Sequence, residues 1–333
     1  MSKLTQLAAK MTLSKDLGPE RDYGERGRIR KAFSVFGSNL KGMLAVNLMV
    51  DIFALPLIVM FVFLMGLYEQ NQITEAGYSF SGFLGIGYGL VDDTVAGINM
   101  IYGIRSDFFL YFFTPGLMIL SIGLAGAYHC IRNFYWGVEV KVFKHFFRGI
   151  KLHWWKFLIT FTYLGLVGTG AACGTIELMR LMATTGSASA GIWIWSIGSL
   201  LLGLLSMLFA AVFLPTSVSF RFGYKDYIKN SCISSLIMFL PNLILTIVLV
   251  APMFLIMVSI VKYIVYFAMI TVGASLYIML DVSFGNFCND LLVNQMYEYE
   301  QEQAAKTAQM QRKQQLKEAA KAQRANPKKG KKR

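Results

Sequence analysis

Six long apolar runs, at about 42–67, 108–129, 157–178, 192–214, 232–257 and 263–284, constrain this chain more than any other feature. Each has about 20 residues or more, and at 1.5 Å per residue a helix of that length matches the ~30 Å hydrocarbon core of a bilayer. With 55% of its 333 residues hydrophobic and 15% charged, the chain lacks the polar surface that a soluble domain of this length requires. The runs therefore predict an all-α polytopic membrane protein, a bundle of six transmembrane helices.

The charges orient it. All but three of the 32 Lys and Arg residues fall on one side of the runs, and Arg105, Arg180 and Lys262 are the exceptions. Cytoplasmic segments retain Lys and Arg during insertion, so both termini are expected in the cytoplasm of a multi-pass plasma-membrane protein. No apolar h-region precedes the first run, which predicts that no signal peptide is cleaved. The expected divisions are a cytoplasmic segment 1–41 with a short interfacial helix at 32–41, a membrane domain 42–285, and a tail 286–333. The tail is rich in helix-forming residues up to about 325 and ends in PKKGKKR.

The connection 68–107 is net acidic, which places it outside. Its centre reads FSGFLGIGYGL, and residues 80–90 either re-enter the membrane or pack over the outer helix ends. The loop 130–156 is basic and aromatic: CIRNFYWGVEVKVFKHFFRGIKLHWWK. Aromatic rings favour the headgroup layer, and Lys and Arg reach its phosphates. An amphipathic helix lying in the inner interface is the expectation, with Lys144, Arg148, Lys151, Trp154 and Trp155 at the membrane boundary.

Polar residues within the runs are few. Asp51 lies about nine residues, or roughly 13 Å, into the first run, and Asn47 precedes it by one helical turn. Pro241 and Asn242 fall at a similar depth in the fifth run. Asn47, Asp51 and Asn242 could then form one intramembrane cluster, with two readings open: an ion or substrate site, or a hydrogen-bonded tie between helices. Asp281, close to the inner end of the sixth run, is expected to be solvated. In the third run Gly170 and Gly174 form a GxxxG that permits a close helix contact.

Chemistry beyond this is sparse. The cysteines Cys130, Cys173, Cys232 and Cys288 make no CxxC or zinc spacing. The three histidines, His129, His145 and His153, do not share a helical face with Glu139, so no metal is expected. Nucleophile-elbow, metalloprotease and phosphate-loop motifs are missing, and with them any expectation of enzyme activity or a cofactor.

Two segments carry a resemblance. LKGMLAVNLMVDIFALPLIVM (40–60) is similar to the leucine-rich first span, with an asparagine and a later proline, of the YesL-like family of bacterial multi-pass membrane proteins, which carry a domain of unknown function. GLAGAYHCIRNFYWGVEVKVFKHFFRGIKLHWWKFLI (123–159) resembles that family's small-residue helix end, tyrosine, basic-aromatic loop and paired phenylalanines, here Ala127, Tyr128, Phe146 and Phe147, with Trp154 or Trp155 after them. The long loop 68–107 and the basic tail depart from the pattern. The resemblance implies a bacterial cell-membrane protein and a link, in some members, to carbohydrate uptake genes; it implies no site residues.

Three functions follow as expectations. The first is an accessory or scaffold protein that meets a protein partner at the cytoplasmic face and anionic lipid headgroups at its rim. The second is a small-solute transporter or permease component using the cluster around Asp51. The third is ribosome or nucleic-acid contact through the tail.

Overall fold

The computed structural model describes residues 28–75, 94–220, 223–255 and 261–288, with a few positions between 307 and 315. The expectations for residues 80–90 and for nearly all of the tail lie outside these. Every regular element among the described residues is helical: α1 (Arg28–Ser38), α2 (Leu40–Glu75), α3 (Thr94–Phe108), α4 (Thr114–Tyr135), α5 (Val142–Thr185), α6 (Ala190–Ser219), α7 (Tyr224–Ile237), α8 (Phe239–Leu255), α9 (Val261–Ala268) and α10 (Met269–Cys288). A π-helical turn, Phe109–Phe113, joins α3 to α4, and a second, Met269–Gly273, opens α10.

Among the described residues, five stretches are long and apolar enough to cross a membrane: Leu40–Phe61, Tyr102–Tyr135, Val142–Thr185, Ala190–Ser219 and Met269–Cys288. A sixth exists if α7 and the first part of α8, bent by 88° at Met238, count as one. The fifth run is broken here, three residues ahead of its proline. Pro241 has no N–H to give the Ile237 carbonyl, and its ring would clash there if the helix ran on. The chain turns at Met238 instead, and Pro241 falls in the first turn of α8, where no intrahelical donor is needed. Pro115 acts more gently in the second span: the π turn just ahead of it absorbs the lost bond without a break.

The expected interfacial helix in the loop 130–156 is also corrected. After Tyr135 a tight turn, with Gly137 at φ +70°, reverses the chain, and α5 then runs unbroken for 44 residues, about 66 Å. Nothing in 142–185 breaks a helix. Two glycines let α4 and α5 close on each other: a Cβ on Gly126 would lie 2.8 Å from the Phe146 carbonyl, and one on Gly149 would lie 2.5 Å from His129 Cβ. The GxxxG behaves differently. Gly174 faces Ser196 and Trp195 of α6, whereas a Cβ on Gly170 would meet nothing within 4 Å.

The apolar core lies at the Lys- and Arg-rich end. Met43, Val46 and Val50 of α2 pack with Tyr128, Ile131 and Phe134 of α4, Phe146 and Phe157 of α5, Phe213 of α6 and Ile278, Met279 and Val282 of α10. The second half of α6, from Ala210 to Ser219, is buried at every residue, so it stands on the axis of this end. The first half of α6 exposes Ile194, Leu201 and Leu205.

Candidate functional site

The polar residues singled out in the sequence are placed by two irregular helices. Widening α10 by one residue at its π turn leaves main-chain groups there without α-helical partners. Asn47 fills the gap. Its Nδ2 donates to the Ile270 carbonyl at 2.6 Å and lies 3.4 Å from that of Met269, while its Oδ1 accepts from the Ser275 amide at 3.1 Å. The same Nδ2 is 3.1 Å from Asp51 Oδ2. Asn47 is fully buried and Asp51 is half-buried. The pair is therefore built from one turn of α2 facing the bulge of α10.

Asn242 is committed elsewhere. It is fully buried, and its Nδ2 donates to the Leu208 carbonyl of α6 at 2.6 Å. Ser235, on the other side of the bend, gives its hydroxyl to the same carbonyl at 3.2 Å. The two donors pin the α7–α8 elbow onto α6. Asn47 and Asp51 thus meet each other and α10, while the hydrogen bond of Asn242 ties α8 to α6.

Packing also resets the level of Asp51. Gly42 faces Phe134, Phe53 faces Gly123 and Leu57 faces Gly116, which sets Asp51 beside the 123–126 turn of α4. That turn lies against the first half of α5, the segment carrying Trp154 and Trp155. Asp51 belongs to the Lys- and Arg-rich end of the bundle, level with its aromatic residues.

A second polar layer at that end was not legible as a unit. The terminal carbonyls of α6 have no intrahelical donors. Lys156 Nζ donates to the Ser217 carbonyl at 3.0 Å, Arg132 Nη1 to that of Val218 at 2.6 Å, and the Tyr227 hydroxyl to that of Phe220. Lys156 is buried, its ammonium 4.0 Å from the Tyr227 ring centre. Two cations at the negative end of a helix dipole complete the cap. Next to this layer, Tyr128 of α4 donates to Asp281 Oδ2 of α10 at 2.6 Å. Asp281 is 1% exposed, against the expectation of easy solvation, and its Oδ1 has no partner among the described residues. The buried face of α7 is polar too, and the Ser231 and Ser234 hydroxyls also lack partners. Any signal for these residues lies in the spacing Tyr227, Asn230, Ser231, Ser234, one face of a helix.

Lys144, Arg148, Lys151, Trp154 and Trp155 all lie exposed on the first half of α5. Trp155 stacks obliquely against Tyr224 of α7, ring centres 5.3 Å apart. Of the histidines, His129 and His153 face each other with ring centres 5.6 Å apart, while His145 Nδ1 accepts from the Lys141 amide at 2.9 Å. Among the described residues no three His, Cys, Asp or Glu side chains converge on a metal position. Among the described residues no two cysteines are joined in a disulfide.

No protein-family model, curated protein or solved structure matches the chain, so the likeness to the YesL-like family rests on the two quoted segments alone.

Proposed function

We propose that this chain is a six-span protein of a bacterial cell membrane, with both termini cytoplasmic, and that it serves as an accessory or scaffold protein at the cytoplasmic face, in keeping with the carbohydrate-uptake link that the YesL-like resemblance implies. The six spans count the α7–α8 elbow as one crossing, and the orientation follows the Lys and Arg bias. The observation that carries the scaffold reading is the use made of the deep amides. Asn47 and Asn242, the fully buried members of the candidate cluster, both bond to neighbouring helix backbone, although Asn242 Oδ1 has no partner among the described residues. Such bonds are the usual means by which membrane helices are tied together. The chemically distinctive side chains left exposed crowd the inner end.

The test is affinity purification of the tagged protein from native membranes, with and without residues 290–333. A partner enriched by the full chain and lost with the truncation supports the scaffold. Recovery of the same background proteins from both sinks it.

Transport is the second reading, favoured by one observation: Asp281, a buried carboxyl with one oxygen unpartnered, bridges α4 and α10. Solute uptake abolished by Asp281→Asn in a protein of unchanged stability would establish transport over the scaffold. Asp51→Asn makes the same distinction for the pair on α2.

A further inference from the structure

The outward face of α5 changes character along its length without changing direction. Lys144, Arg148, Leu152, Trp155, Ile159, Tyr163 and Leu166 recur every three or four residues, so they form one stripe, and all are exposed. Lys151 borders it. The basic part covers about two turns, and the apolar part continues for about 21 Å, enough to span the roughly 15 Å depth of one hydrocarbon leaflet. Leu152 is 50% exposed and Leu166 is 62% exposed, and Ile159 and Tyr163 also keep about half of their surface open among the described residues. At the junction Trp155 and Tyr224 pack together beside the exposed Lys225, as amphipathic rings do at headgroup level.

We propose that this stripe is a binding site for an anionic phospholipid, with the phosphate held by Lys144, Arg148 and Lys151 and the acyl chains laid over Leu152, Trp155, Ile159 and Tyr163. Charge complementarity selects an anion. Continuity with the lipid-facing apolar residues of the same helix selects a lipid over RNA or an acidic protein, because neither of those offers an alkyl chain to the lower half of the stripe. The site rests on the membrane-spanning reading above and gives the inner face its lipid partner.

The test uses the full chain. Native mass spectrometry after purification from nanodiscs of phosphatidylcholine mixed with phosphatidylglycerol should show phosphatidylglycerol retained in preference. The variant Lys144→Gln/Arg148→Gln/Lys151→Gln should weaken its retention on the order of a hundredfold, since each basic residue at a membrane surface accounts for roughly a fivefold effect. Lys328→Gln/Lys329→Gln/Lys331→Gln, which removes the same charge from the tail, should leave retention unchanged. Equal loss from both variants would reduce the site to diffuse electrostatics and overturn it. So would equal retention of the two lipids, or copurification of RNA or an acidic protein that the α5 variant alone abolishes. Release of the wild-type chain from membranes by alkaline carbonate would instead defeat the membrane reading itself.

Discussion

Asn47 supplies the sharpest quantitative test, because one side chain repairs a defect in another helix. Replacing it with Leu keeps the branching and opens no cavity, though its bulkier methyls add some overpacking, and it leaves the Ile270 carbonyl and the Ser275 amide unpaired across the α2–α10 contact. The 3.4 Å approach to Met269 is too long to count. Interhelical hydrogen bonds in membrane proteins average about 0.6 kcal/mol and reach about 1.7 kcal/mol. Two of them, in a site with no alternative donor on Leu, give a loss of about 1–3 kcal/mol. Asn242→Leu removes a single interhelical bond, and its acceptor keeps the Ser235 hydroxyl, so about 1 kcal/mol or less is expected. The assay is reversible unfolding in mixed micelles with rising dodecyl sulfate, followed by circular dichroism. Asn47→Leu should lie clearly below Asn242→Leu. If Asn47→Leu unfolds with the wild type, or above Asn242→Leu, the bond between α2 and the π turn is not what holds α10 in place.

Further outcomes follow from the packing and the caps. Gly149→Ala must displace His129 or the Ala125 carbonyl, 3.1 Å from the added carbon, and should cost about 1–3 kcal/mol, whereas Gly170→Ala meets nothing and should gain about 0.5–1 kcal/mol from helix propensity; thermal midpoints in detergent separate the two. Lys156→Met keeps the apolar stem but uncaps α6, and should lower stability by about 1–2 kcal/mol in the same unfolding assay. Tyr128→Phe strands a buried carboxyl and should be worse than Asp281→Asn, which still accepts from Tyr128; a double-mutant cycle on the two positions should show coupling, and simple additivity would refute the pairing. Maleimide should label Cys232 well ahead of the buried Cys130 and Cys288, as mass shifts on intact protein would show.

Length and apolarity made the spans legible, and Pro241 marked where the fifth is broken, although Pro56 and Pro215 sit inside unbroken helices. The direction of the break was not legible, because it depends on Leu208 offering its carbonyl to donors on both sides of Met238. The polar cluster was half legible. Asn47 and Asp51 share a face by spacing alone, but the true partner of Asn47 is backbone freed by a π turn, and no residue type announces such a turn. Asn242 matched in depth by counting, yet depth along a helix says nothing of which neighbour the side chain meets. The basic-aromatic loop misled for a related reason: its composition fits an interfacial helix, and only the close approach of Gly126 and Gly149 keeps it upright against α4. Asp281 was discounted from its distance to the helix end, although burial there is decided by α4 covering it.

The axial position of the second half of α6 bears on the order in which the protein can be assembled. The chain is made from its N-terminus, so Arg132 and Lys156 exist before the carbonyls of Ser217 and Val218 that they cap. The central post therefore meets its two cations as it emerges. Tyr227, Ser235 and Asn242 are made after it and can close around a post already fixed in height, leaving α10 and its bulge to be latched last by Asn47, which is made before all of them.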